Sequence, residues 1–305
     1  MLRITPSAPY PLHDTAATRR IEQTAAAALP PHTLMQRAGL AVARLALALA
    51  PHARTVWVAC GPGNNGGDGL EAAMHLRQWG LTPVVTWLGD EAHAPADARA
   101  SLARARAAGV CFADEPPTLQ AQDLCIDALL GIGAFRTLGV DSEKAPQRDQ
   151  FLPDSPPHSG TMGQEAGKKW AAAAHSQPTI PKSDRLLGVT RAPEGRMAAW
   201  LARMAASPAP CLAVDLPTGL NADTGRWLRP EAILSEAASA YSKGIKGHFD
   251  AENWRHTLSL LTLKPGLFTC EGRDACGTLW FDDLGVAPDA SVPASAWLSG
   301  PPAPA

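Results

Sequence analysis

The sequence predicts an α/β protein built on a doubly wound, mainly parallel sheet with helices on both faces. Short apolar runs alternate with helical patterns of roughly ten or more residues, the spacing that parallel crossovers require. One run, Thr55-Val56-Trp57-Val58-Ala59, opens directly into Cys60-Gly-Pro-Gly-Asn-Asn-Gly-Gly-Asp-Gly-Leu70 and then into a helical pattern. Two further runs end on an aspartate followed by a glycine-bearing turn.

The alanine-rich stretch from Asp14 to Ala28, stopped by Leu29-Pro30-Pro31, reads as a first helix. A second starts at Thr33, where Thr33 and Gln36 have capping-box spacing, and runs to about Ala50. After the strand Thr55 to Ala59, Asp68 and Glu71 are placed to cap a helix that ends at Trp79-Gly80. Strands follow at 83–88, 110–112, 124–126, 211–214 and 256–263, with helices at 96–108 and 194–206. Residues from about 135 to 185 are rich in Pro, Ser, Gln, Lys and Asp and read as a surface insertion or disordered loop. A smaller irregularity at Tyr241–His248 reads as a second insertion. The core domain is therefore expected to span 1–286, with 287–305 as a Pro/Ala-rich linker or tail.

At 305 residues with 46% hydrophobic content, the chain can bury a sizeable core, and its formal charge of −2 predicts no broad attraction to nucleic acid or anionic membrane. No apolar run approaches the ~20 residues of a membrane span, and the N-terminus lacks a signal-peptide core. The six cysteines form no C-x-x-C pair and no metal spacing with histidine, and several lie in or beside apolar strand-like runs, where a small buried thiol is expected. A soluble protein of a reducing cytoplasm fits these features. The scattered histidines suggest no chemistry, and the nine tryptophans suggest packing.

Chemistry concentrates at three strand ends: the glycine stretch, Ile126-Asp127-Ala128-Leu129-Leu130-Gly131-Ile132-Gly133, and Val214-Asp215-Leu216-Pro217-Thr218-Gly219. Ligands of doubly wound sheets bind beyond the carboxyl ends of strands, so all three should converge on one crevice. The Asn64 to Gly67 backbone and the Gly131 to Gly133 turn offer N–H donors suited to phosphate. Asn65, Asp127 and Thr218 offer hard oxygens that could hold a monovalent or divalent cation, whereas zinc would want His or Cys. Asp215, at an apolar strand end, is the best placed general acid or base. Each has a plainer reading: Asp127 as a turn or cap residue, Asp215 as a turn-former before Pro-Thr-Gly. Gly61, Gly63 and Gly66 also satisfy G-x-G-x-x-G, which suggests an NAD-dependent dehydrogenase. That reading needs an acidic residue ~20 positions on at the end of the next strand, and Asp90 falls beyond it.

The combination Gly61-Pro-Gly-Asn-Asn-Gly-Gly-Asp-Gly69, Asp127-Ala-Leu-Leu-Gly131 and Val214-Asp-Leu-Pro-Thr-Gly219 resembles the NAD(P)H-hydrate epimerase family. The resemblance extends to Leu34-Met-Gln-Arg-Ala-Gly39, Leu263-Lys-Pro-Gly-Leu267 and Phe281-Asp-Asp-Leu-Gly285. It implies a three-layer αβα Rossmann-like domain that interconverts the R and S epimers of hydrated NADH and NADPH, an isomerase reaction of nicotinamide nucleotide repair without net redox. It also implies that Asn64, Asn65, Gly66, Gly67, Asp68, Gly131, Ile132, Gly133, Ala134, Thr190, Arg191 and Asp215 bind the substrate. Asp215 would be the catalytic acid/base. Asn65, Asp127 and Thr218 match the positions that hold a potassium ion, with Thr218 in place of an expected serine.

Asp127 and Asp215 lie 88 positions apart (215 − 127), more than a helical crossover needs. Leu129-Leu-Gly-Ile-Gly-Ala134 is echoed in Leu186-Leu-Gly-Val-Thr-Arg-Ala192, so the insertion should interrupt a phosphate-binding loop in which Ala134 would otherwise run on into Thr190 and Arg191. The alternative is thus a catalytically impaired nucleotide-binding or scaffold domain of the same fold. In many bacterial relatives the domain is fused to a dehydratase, which makes a covalent or separate dehydratase an expected partner. The sequence leaves open a homodimer.

Overall fold

The computed structural model describes residues 1–5, 8–132, 193–229, 255–287 and 290–299. The chain divides into one unit of 1–135 and 190–305 and another of 136–189, the second wholly outside the described residues. The expected insertion at about 135–185 and the irregularity at Tyr241–His248 also lie outside them.

In the first unit, β1 (Leu2–Arg3), β2 (Tyr10–Leu12), α1 (Thr15–Ala28) and α2 (Thr33–Leu49) precede the alternating region. That region runs β3 (Val56–Cys60), α3 (Asn64–Gln78), β4 (Pro83–Trp87), α4 (Ala96–Ala107), β5 (Cys111–Phe112), β6 (Leu124–Ala128), α5 (Gly195–Ala205), β7 (Cys211–Val214) and β8 (Arg255–Leu260). A 3₁₀ turn (Pro265–Leu267), α6 (Gly272–Ala275), β9 (Thr278–Asp282) and β10 (Ala296–Leu298) complete it. The sheet order is β1-β9-β8-β7-β6-β3-β4-β5, parallel except for β1 on β9. From β3 the chain winds outward through β4 and β5, then returns to the other side of β3 with β6. The order reverses between β3 and β6, and a crevice opens at such a switch point.

Both faces of the sheet are covered, as the unbroken apolar strands require. Val56, Val58 and Cys60 of β3 pack with residues of α2, α3 and α4, while Trp57 and Ala59 pack with Trp200, Leu201 and Met204 of α5. The alternation places the two sets on opposite faces, which makes three layers.

Two expected caps are not formed. The residue before α2 is His32, left-handed at φ 65° and without a capping side chain; Thr33 is already helical, so no capping box closes. The helix α3 begins at Asn64, four residues before Asp68, with Gly63 as its N-terminal boundary. Asp68 and Glu71 therefore lie inside the helix. Glu71 is buried and accepts from Arg104 on α4 through Nε at 2.9 Å and Nη2 at 2.7 Å, a two-pronged pair that ties α3 to α4.

Part of the expected tail is structured. β10 pairs antiparallel with β2, and Val292 is buried against Ala17 and Ile21 of α1. Among the described residues no helix is long and apolar enough to cross a membrane.

Candidate active site

A cavity of about 750 Å³ opens at the carboxyl ends of β3, β6, β7 and β8. Its volume falls within the ~300–1,000 Å³ of small-molecule sites. Asn64, Asn65, Asp68, Gly131, Ile132 and Asp215 all reach its wall, so residues from the three strand ends do converge.

The first wall is the N-terminus of α3. No side chain caps this end, and the first N–H groups of a helix lack acceptors within it. Asn64 and Asn65 thus present donors at the positive end of the helix dipole. Gly67 does not, because its N–H donates to Gly63 O at 3.2 Å. Gly66 and Gly67 are also off the cavity wall among the described residues. A Cβ at Gly66 would stand 2.0 Å from Gly61 O, and one at Gly67 would stand 2.8 Å from Met35 Cε. The sequence suggested close approach to a ligand; here these two glycines permit close approach of α3 to protein.

The second wall is the turn after β6. Asp127 and Thr218 are buried behind it and bonded to each other: Thr218 Oγ1 donates to Asp127 Oδ1 at 2.7 Å and Thr218 N to Oδ2 at 3.1 Å. Leu129 N donates to Asp127 Oδ1 at 3.4 Å, Leu130 N donates to Thr218 Oγ1 at 3.1 Å, and a Cβ on Gly131 would stand 3.1 Å from Asn65 Oδ1. Asn65, Asp127 and Thr218 therefore surround one short turn. Thr218 is held there by a tight turn in which Leu220 N donates to Pro217 O at 3.0 Å and Gly219 takes φ 91°.

The donor set fits a hard cation. Asp127 is fully buried with only neutral donors among the described residues, and a buried carboxylate calls for compensating charge. Asn65 Nδ2 is buried without an acceptor. Turning that amide end for end would put its oxygen in the same place, where a cation would be welcome.

The third wall carries Asp215. Leu216 N donates to Val214 O at 2.8 Å across Asp215, whose φ is 66°. This three-residue turn is strained for a side-chain-bearing residue. The carboxylate does not bond its own turn, as the plainer reading required; Oδ1 accepts from Leu260 N of β8 at 3.2 Å and from Lys264 Nζ.

Lys264, Arg19, Glu22, His32 and Asp97 also line the cavity, and no role for them was read from the sequence. Lys264 sat within a recognised motif, and a lysine in an apolar run was the available signal. Arg19 and Glu22 lie on α1, Asp97 on α4 and His32 just before α2, where only the fold places them over a crevice.

The cavity crowds carboxyl groups. Burial, followed by Asp215, Glu22, Glu71 and Asp97, holds the Asp68 carboxyl well above the usual range. Asp68 is itself only half-buried, on the cavity wall. Glu22 is raised as well, first by burial and then by Asp215, against the opposing pull of Lys264 and Arg19. Asp68 can thus hold a proton where ordinary carboxylates do not. Asp90, the acid required for a dinucleotide ribose, instead accepts from Ala92 N at 3.1 Å in an exposed turn and is off the cavity wall. Gly133, Ala134, Thr190 and Arg191 lie outside the described residues.

A doubly wound domain whose switch point holds a cavity bounded by a helix N-terminus, a glycine turn and a strand-end carboxylate has the architecture of the nucleotide-binding α/β folds. Residues 31–152 match the family model described as YjeF-related protein N-terminus. The chain is 30% identical over 282 residues to the NAD(P)H-hydrate epimerase of Achromobacter xylosoxidans, covering 90% of this chain and 96% of that one. It is 28% identical over 259 residues to the NAD(P)H-hydrate epimerase of Limosilactobacillus fermentum, covering 85% and 88%. It is also 28% identical over 272 residues to the bifunctional NAD(P)H-hydrate repair enzyme Nnr of Escherichia coli, covering 88% of this chain but only 36% of that protein. The chain belongs to the NAD(P)H-hydrate epimerase family.

Proposed function

We propose that this chain interconverts the R and S epimers of hydrated NADH and NADPH. The observation that carries the reading is the convergence of Asn64, Asp68, Gly131, Ile132 and Asp215 on one cavity at the sheet's switch point, in a chain of this family. The α3 N-terminus and the Gly131 turn suit the anionic part of a nucleotide. The hydrated ring carbon bears a hydroxyl group and the ring nitrogen, so inversion needs a bond at that carbon to open and re-form on the other face. Asp215 would accept the hydroxyl proton as the carbon–nitrogen bond opens to a carbonyl, the bond pair going to the ring nitrogen, and would return it to the oxygen when the nitrogen re-adds to the other face, leaving no net redox change.

Asn65, Asp127 and Thr218 would hold a potassium ion, which supplies fixed positive charge behind the Gly131 turn. All six cysteines are free, in keeping with a reducing cytoplasm. The bifunctional relatives support a dehydratase, fused or separate, as the partner that consumes one epimer.

The test supplies both hydrates to a dehydratase specific for one of them. Addition of this protein should carry consumption through to the second epimer, and failure to do so sinks the proposal. Asp215→Asn should lower the rate by about 10²-fold or more. Potassium is checked without turnover: exchanging it for choline should lower the melting temperature of the wild type and leave Asp127→Ala unmoved.

A further inference from the structure

We infer that Lys264 is a positioning residue that fixes the carboxylate of Asp215 so that one oxygen alone meets the ligand. The inference rests on the epimerase reading above and adds to it a second group at the reacting end of the cavity.

Lys264 is 1% exposed, one of the largest fully buried side chains in the protein, yet it reaches the cavity wall beside Asp215. Its Nζ contacts three acceptors, Asp215 Oδ1, Ser259 Oγ at 3.3 Å and Leu260 O at 2.8 Å. An ammonium has three N–H groups, so all are engaged and the head group cannot turn. Ser259 Oγ donates to Thr262 O at 2.8 Å, which leaves its lone pairs for the lysine.

The backbone around the pair is built to match. Across Leu261, whose φ is also 66°, Thr262 N donates to Leu260 O at 2.7 Å, so β8 ends in the same strained three-residue turn as β7. Leu260 then donates its N–H to Asp215 Oδ1 while its carbonyl accepts from Lys264 Nζ. Two adjacent strand ends are thereby linked through the N–H and C=O of one residue, one carboxylate oxygen and one ammonium. Asp215 Oδ1 takes two donors, whereas Oδ2 accepts none among the described residues and the side chain is 11% exposed at the cavity. The ligand therefore meets Oδ2 with its direction set.

A purely structural stitch would not need charge here. Burying an ion pair costs desolvation that apolar neighbours would avoid, and strain is commonly concentrated where geometry serves chemistry. Positioning of this kind acts on the rate of the bound complex rather than on binding.

The experiment compares wild type, Lys264→Met, Asp215→Asn and the double variant in the coupled hydrate assay, with melting curves for each. If Lys264 works through Asp215, Lys264→Met lowers kcat by about 10²-fold with KM within about threefold, and adds nothing once Asp215 is Asn. Lys264→Ala should recover at least tenfold (~10) with added ethylammonium, a group that fits the space left, as expected of a charge–positioning role. Retention of kcat within about threefold by Lys264→Met, multiplicative losses in the double variant, or no response of Lys264→Ala to ethylammonium would each overturn the inference. Should Lys264→Met not fold, Lys264→Gln replaces it with the same expected loss; failure of both to fold would make the lysine a stitch and overturn the inference too. An inactive wild type would instead defeat the epimerase reading, so the two failures remain distinct.

Discussion

Asp68 is a carboxyl whose environment works against its charge. Burial raises its carboxyl first, and Asp215, Glu22, Glu71 and Asp97 add to the effect. A carboxyl raised in the folded state contributes stability that is present below its ordinary value of 3.8 and lost as pH rises through the folded value. Near neutrality the wild type therefore carries a penalty that an amide would not. Asp68→Asn should melt a few degrees higher than wild type near neutral pH, with the gap closing as pH falls toward about 4, while epimerisation drops by about tenfold or more. Melting curves across that range check it; a gap that stayed constant with pH would exclude titration of Asp68 as the cause. The site was only partly legible at this scale. Asp127 and Asp215 stood out because an acid ending an apolar run is unusual, and Asn65 stood out beside so many glycines. Lys264 was missed because nothing in the sequence says that its strand end neighbours that of Asp215.

Whereas α6 and β9 had no expected counterpart, the elements from β3 to β8 fell within a few residues of their expected positions, since buried parallel strands and amphipathic helices leave strong periodicities. The start of α3 did not. Glycine costs about 1 kcal/mol against alanine inside a helix, so Asn-Asn-Gly-Gly-Asp-Gly reads locally as a loop. Packing overrides that preference: Gly61 and Gly66 let α3 begin directly on the end of β3, with Gly69 against Ala128 of β6. The short strands β1, β2 and β10 were missed for another reason. Each has two or three residues and a partner hundreds of positions away, such as Leu2 with Phe281, which no local pattern reveals. The packing account makes a contrast testable. A Cβ at Gly66 would meet backbone oxygen at 2.0 Å, whereas one at Gly63 meets nothing within 4 Å. Gly66→Ala should cost stability at the upper end of ~1–3 kcal/mol, and Gly63→Ser, at a boundary position that favours serine, should change it by less than about 0.5 kcal/mol. Urea midpoints with unchanged slopes decide between them; equal losses would mean that the glycines serve the turn rather than the packing.

Across the whole molecule, the residues around the cavity are tied to a segment that composition alone assigned to a linker. The relatives include both a protein of this length and bifunctional chains, so a linker was a reasonable expectation. The structure connects it inward instead. Ser295 N donates to Leu12 O at 2.8 Å, Ser295 Oγ accepts from Asp14 N at 3.1 Å, and Asp14 in turn caps α1 by accepting from Ala17 N at 2.7 Å. Val292 packs on the buried side of that helix. The helix α1 then brings Arg19 and Glu22 to the cavity, and its Thr18 Oγ1 lies 2.7 Å from Thr262 Oγ1 beside the turn that ends β8. Removing the chain from residue 290 onward should therefore do two separable things. Loss of one buried valine and its strand pairing should lower stability by about 1.5–3 kcal/mol. A loosened α1 should raise KM for the hydrates, while kcat stays within about threefold because Asp215 and Lys264 are held by β7 and β8 rather than by α1. Melting curves and steady-state kinetics of the truncated chain measure both. Unchanged stability and KM would restore the linker reading, and a fall in kcat at constant KM would mean that α1 acts on the chemistry itself.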